Sequence, residues 1–230
     1  MASREQIFAG IPASYNGWRH FLVVNAMAAC AIGVAVWLVR APSWRELLTI
    51  PIAFILINAG EWQLHKDVLH RRVPLFAALY QRHALTHHVA FHHDTMAAPS
   101  PREWRWVLFP APAFFGMVAT LVPPSLLTGW LVSRNAGALV AATGVGFYLL
   151  YEWCHLSYHQ PEGTWVGDLA LVRVLRRHHQ RHHHPALAKR YNFNVTFPIW
   201  DWVRGTVAPS EAVARADEEI AAAATSRSDP

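Results

Sequence analysis

A chain of 230 residues that is 53% hydrophobic and only 15% charged is too apolar for an ordinary soluble domain, so a one-domain membrane protein is expected. The net charge of +5 rests almost wholly on arginines that flank apolar runs, which points to a membrane surface and away from nucleic acid. Cys30 and Cys154 lie inside apolar runs with no CxxC, which excludes a disulfide framework or a thiolate zinc knuckle and leaves a reducing or neutral compartment as the expectation.

Residues 1–20 are a polar segment that places the first apolar stretch too late for a secretory signal. That stretch, FLVVNAMAACAIGVAVWLV (Phe21 to Val39), is uncharged and close to the ~20 residues that cross a bilayer as a helix. A second runs from Leu47 to Leu64, interrupted by Pro51 and ending in NAGEWQL; a third covers Trp106 to Val122 and a fourth Ala136 to Cys154. The piece SLLTGWLVS (Ser125 to Ser133) is too short to span, and either extends a neighbouring helix or dips into the membrane.

Cations orient the spans. Two lie in residues 1–20, six in 64–105 and nine in 154–230, against Arg40, Arg45 and Arg134 in the other two loops. An excess of this kind gives both termini and the long middle loop a cytoplasmic address. The expected fold is therefore all-α: two membrane hairpins returning to a cytoplasmic helical cap. The Ala- and Glu-rich stretch that ends the chain (208–230) reads as a frayed helix or a flexible tail.

Fourteen of the fifteen histidines fall in two windows, His65–His93 and His155–His184, each beginning where a hairpin re-enters the cytoplasm. Both windows run in the same order: an apolar helix, a Glu-Trp pair, two spaced histidines, then a spaced histidine and a doublet. On a helix, His155 and His159 share a face, and His179, His182 and His183 converge. Pro185 disfavours helical geometry at His184, which excludes it as a ligand; His178, four residues before His182, stays open. His65 to His70 and His83 to His88 are i+5 steps, off one straight helical face, so each pair serves two metals or straddles a helix end. His88, His92 and His93 compete with His83, His87 and His88 as a trio.

The plainer alternatives are a packed interfacial ring for His20, a pH-responsive face or a loose metal-scavenging tract for the runs, and an aromatic belt for Trp62 and Trp153. Ten patterned imidazoles crowded at one surface need a common partner, and a metal pair with about five ligands each supplies it. All-nitrogen sites suit iron, copper, nickel or zinc. Glu61 or Glu152 is placed to hydrogen-bond a ligand imidazole from behind.

These boxes resemble those of the fatty acid hydroxylase/sterol desaturase superfamily. Its HX4H, HX2–3HH, HX3H and HX2HH pattern looks like His65/His70, His83/His87/His88, His155/His159 and His179/His182/His183. YNFNVTFPIWDWVRGT (Tyr191 to Thr206) is similar to the family's closing signature, and the likeness spans residues 21–207. It implies two iron ions, replaceable by zinc in a purified sample, that use O2 and two electrons to attack a C–H bond of a fatty acyl, sterol-like or isoprenoid lipid. Desaturation or carotenoid-ring hydroxylation is the close alternative, and a divalent-metal transporter the remote one. Asn194 or Asp201 would orient ligands. Three residues rather than two separate His83 from the doublet, unlike the common acyl 2-hydroxylase box. No cytochrome b5-like domain precedes the first span, so a separate ferredoxin or cytochrome b5 with its reductase is expected as donor, in what reads as a bacterial inner membrane.

Overall fold

A computed structural model describes residues 3–228, and among them there are helices and turns but no strand. Helix α1 (Arg4–Ala9) opens on a reciprocal cap between Ser3 and Gln6, and α2 (Gly17–Leu38) on the Asn16 side chain, which accepts from the Arg19 amide at 2.9 Å. A short α3 (Trp44–Leu47), capped by Ser43, runs into α4 (Thr49–Leu64). Pro51 falls in the first turn of α4, where its missing N–H is of little consequence. Then come α5 (Ala77–Arg82) and α6 (His88–Ala90), α7 (Ala113–Leu131), α8 (Arg134–Tyr158), α9 (Ala170–His182), α10 (Ile199–Arg204) and α11 (Ser210–Ser228).

Among the described residues, four stretches are long and apolar enough to cross a bilayer: Gly17–Leu38, Trp44–Leu69, Ala113–Leu131 and Arg134–Tyr158. The third differs from its expected limits. Pro110 and Pro112 cut the apolar run Trp106 to Val122, so Glu103–Trp106 forms a separate 3-10 turn and α7 starts at Ala113. SLLTGWLVS then extends α7, which tolerates Pro123 and Pro124.

α8 is the central span. Its apolar window is 56% buried, against 17% for α2 and for α3–α4 and 6% for α7. It packs on α2, α4 and α7, whose other faces present Leu22, Trp37, Leu56, Phe115, Leu126 and Trp130 outward. Such apolar faces suit lipid as solvent. Close approach of α7 and α8 depends on Gly137, where a Cβ would sit 2.5 Å from the Ser125 carbonyl oxygen and 2.8 Å from Gly129 Cα. At the same end, Asn135 exchanges hydrogen bonds with the Arg40 backbone at 2.8 and 2.9 Å, and Ser133 donates to Glu46 at 2.5 Å.

The other end carries the histidines, where α4 and α8 finish. Within the stretch 208–230, expected as a frayed helix or flexible tail, Ser210–Ser228 is the helix α11 and 229–230 lie outside the described residues; Ala212 and Ala216 pack on Leu187 and Ala208, and this buried stripe gives α11 a tertiary reason to be helical.

Candidate metal centre

The ten box histidines assemble into two groups. His65, His70, His83, His88 and His182 form one; His87, His155, His159, His179 and His183 form the other; in each, one nitrogen per ring lies within 4.8 Å of all the rest. Nine of the ten are buried and His88 is half-buried.

Local helix geometry decides which ring goes where. His65–Leu69 and His83–His87 are π-helical turns, and i→i+5 winding brings residues five apart onto one face. Hence His65 joins His70 and His83 joins His88, steps that a straight α-helix would splay. At the end of α8 and in α9 the winding is α, and the i+4 pairs His155/His159 and His179/His183 share a group instead. Neighbours on a helix point in different directions, so each doublet divides. His87 and His88 part company, as do His182 and His183, and each doublet reaches into both groups. The expected convergence of His179, His182 and His183 on one centre therefore does not occur: His182 faces the first group.

Nε2 atoms converge in both groups. His65 lies 2.8 Å from His83, His83 3.1 Å from His70 and 3.0 Å from His88, and His70 2.9 Å from His182. In the other group His87 lies 3.1 Å from His155 and 3.2 Å from His183, which is 3.0 Å from His179. Metal–nitrogen bonds of about 2.1 Å at near-right angles place neighbouring nitrogens roughly 3 Å apart.

The rear nitrogens fix the tautomers. Nδ1 of His87 donates to the Trp106 carbonyl at 2.9 Å, His159 to Met96 at 2.7 Å and His182 to Tyr191 at 3.0 Å; His65 and His183 donate to the Phe193 and Phe91 carbonyls. A neutral imidazole has one N–H, so Nδ1–H leaves Nε2 as a bare lone pair. Several lone pairs facing one another repel unless a cation lies between them, and the donor set fits a metal on that ground.

Electrostatics keep the rings neutral. Burial pushes His70 down to about 2, helped by His182 and Lys189. Burial alone is the main cause for His159, lowered to about 3, and His182, lowered to about 4. His83, His87, His88, His179 and His183 are also lowered, by burial first and then by the neighbouring imidazoles of the two groups.

Neither glutamate touches a ligand imidazole, contrary to expectation. Glu61 accepts from the Val195 and Thr196 amides at 2.5 and 2.9 Å, the Thr196 hydroxyl at 2.6 Å, and the Asn194 and Asn58 side chains at 3.1 Å. Glu152 accepts from the Phe109 amide at 3.2 Å. Both anchor loops. Asp201 accepts from His178 at 3.0 Å, the Asn194 and Phe193 amides at 2.8 and 3.0 Å, and Thr206 at 2.6 Å. Burial raises its carboxyl, but the bonds from His178, Thr206 and Asn194 outweigh that and hold it below the ordinary value. Gly205, left-handed at φ 64°, turns the chain after α10 so that Thr206 reaches back to Asp201. Asn194 closes the motif: its Oδ1 accepts from the Trp200 and Asp201 amides at 3.1 and 3.2 Å. The Tyr191–Thr206 stretch is thus a folded buttress whose Tyr191 and Phe193 carbonyls hold two of the imidazoles.

His178 pairs with Asp201 and joins neither group. His92 and His93 also lie outside both, so the competing His88/His92/His93 trio is not assembled. His184 joins neither of the paired groups, and His20 packs on Tyr15, 2.8 Å from its hydroxyl. A cavity touching both groups through His83, His87 and His155 is walled by Tyr151, Phe109 and Leu79, none of which the sequence singled out.

A family model described as fatty acid hydroxylase matches residues 50–206, more than half of the chain. The chain belongs to the fatty acid hydroxylase family. A solved structure titled full-length scs7p, with only its hydroxylase domain visible, superposes with a TM-score of 0.58 at 21% identity, covering 84% of this chain and 67% of that one. At that identity the likeness concerns the fold. Comparison with curated protein sequences gives no significant match. Family and helices together make this a membrane protein of the histidine-box hydroxylase type.

Proposed function

We propose that this chain is an O2-dependent di-iron hydroxylase of a lipid C–H bond, with His65, His70, His83, His88 and His182 on one metal and His87, His155, His159, His179 and His183 on the other. The observation that carries the reading is the pair of five-imidazole groups with their Nε2 lone pairs turned inward. Five neutral nitrogens per ion suit iron, with zinc as a substitute in purified samples. When bound, the metal pair supplies oxygen activation with electrons from a separate ferredoxin or cytochrome b5 system.

The protein's own part is to bind and shield. Tyr151, Phe109, Leu79, Val107 and Arg82 line a cavity of about 20 Å³ against His83, His87 and His155, room for one water-sized molecule, so an acyl, sterol-like or isoprenoid chain reaches the rings only when these side chains move aside. Carbonyls of Phe91, Trp106, Tyr191 and Phe193 hold the ring tautomers, and Asp201 fixes the Phe193 carbonyl by accepting from the Phe193 and Asn194 amides on either side of it. Orientation follows the cations: two hairpins, residues 21–207 as one hydroxylase-like domain, and both termini and the metal end cytoplasmic, in a bacterial inner membrane.

The test is co-expression with a ferredoxin system and mass-spectrometric lipid profiling, beside the His155→Ala variant. Added oxygen in the parent but not the variant is expected, with two irons per chain; loss of two hydrogens would mean desaturation. Identical profiles across several hosts would overturn the enzyme reading.

A further inference from the structure

Three side chains that the paired groups leave unused meet where α11 lies against the histidine end. His93 follows α6, His184 follows α9 and Asp217 projects from α11, and one ligand atom from each lies within 4.8 Å of the other two. The His93 and His184 rings are 4.5 Å apart at 46°, and His184 Nε2 is 3.6 Å from Asp217 Oδ1. His184 is only 2% exposed, yet its Nε2 has no hydrogen-bond partner among the described residues, and neither has the buried Nδ1 of His93. A buried nitrogen in that state is unfavourable unless something satisfies it.

The backbone here is held on purpose. Gln180 donates to the His93 carbonyl at 2.7 Å, while His92 is engaged elsewhere, 2.8 Å from Asp94. Two residues before His93, the Phe91 carbonyl receives His183; one residue before His184 is His183 itself.

We infer that His93, His184 and Asp217 form a third cation site, separate from the paired groups, that takes a borderline divalent ion such as zinc and fastens α11 to the loops that position His183. Two imidazoles and a carboxylate are a zinc-type donor set, with water completing the coordination. Calcium and magnesium, which take oxygen ligands, are disfavoured. Ligand atoms bridged by one ion stand about 3–4 Å apart, so a small inward movement of Asp217 from its exposed position completes the set. Binding at Nε2 puts the proton of His184 on Nδ1 and gives up the Ala186 amide contact there, at 3.2 Å the long end of such bonds. The third ion is therefore held less tightly than the imidazole-caged pair and leaves first on mild chelation.

Elemental analysis of the full-length protein in detergent, equilibrated with buffered zinc, decides the matter. The parent should hold one zinc equivalent more than His93→Ala or Asp217→Asn, and mild chelation should remove that equivalent alone. Zinc should also slow tryptic cleavage at the exposed Arg215 of α11 in the parent and in His155→Ala, but not in the two site variants. Equal zinc content in parent and site variants, or zinc protection of Arg215 that survives His93→Ala, overturns the site. Because His155→Ala acts only on the paired groups, failure of that centre and of this one are told apart.

Discussion

Each histidine window gives four rings to one five-ring group and its fifth to the other, and the two windows do so from differently wound helices. The first uses π turns at His65–Leu69 and His83–His87, so its pairs step by five; the second uses the regular α-helix of α8 and α9, so its pairs step by four. Either winding delivers two rings to one side, and the number of residues between them follows the winding. An i+5 pair of ligands is thus a signal for a π turn rather than a flaw in a histidine box.

The contrast is broken most severely by changing residue counts. One alanine inserted between Leu156 and Ser157 moves His159 about 100° around an α-helix, and is expected to empty the second group and cut turnover more than ~100-fold. Deleting Val68 lets the π turn relax to α with His70 at the fourth position after His65, and should retain most of the bound metal. Metal per chain for the two variants measures the difference; equal losses would falsify the role assigned to the winding.

Acid should weaken both groups. In the metal-free protein His182, His159 and His70 are lowered by burial to about 4, 3 and 2, against an ordinary value of 6.5. Between those values and 6.5 the unfolded chain binds more protons than the folded one. Their contribution is therefore fully present above pH 6.5 and is lost as pH falls toward 4 and below. Denaturation midpoints of apoprotein in detergent from pH 7 down to 4 test the direction; a flat curve opposes it.

Removing a buttress should cost less. Glu61→Ala strands the Val195 and Thr196 amides and should lower stability by about 2 kcal/mol. Metal should then be released earlier on heating, without a change in the number of equivalents bound. The smallest effect is expected from His178→Ala, which removes one bond to Asp201 and about 1 kcal/mol. Full metal content there confirms that His178 is no ligand; a lost equivalent would return it to the ligand set.

Much of this was legible in the chain. Uncharged runs long enough to span must shield their backbone as helices, whatever surrounds them. Pairing of His155 with His159 needed only the α-helical period. The start of α7 has a local signature too, since Pro110 and Pro112 interrupt the apolar run. Other features had no local signature. Glu61 sits one turn before His65 and looks like its partner, yet its carboxylate turns to amides more than 130 residues away. Helix α11 has only Val213 and Ile220 as large apolar residues, and the docking of Ala212 and Ala216 makes it part of the fold.

From its sequence alone, this protein was committed to apolar helices, to ten imidazoles in ordered boxes and to a family. Tertiary structure alone decided how those ten divide. Backbone winding at His65 and His83 sets ring direction, and the division of His87 from His88 and His182 from His183 depends on helices that meet only after folding. Spacing is a one-dimensional quantity that reports which rings share a helix face. Which faces meet is decided by packing among segments far apart in the chain.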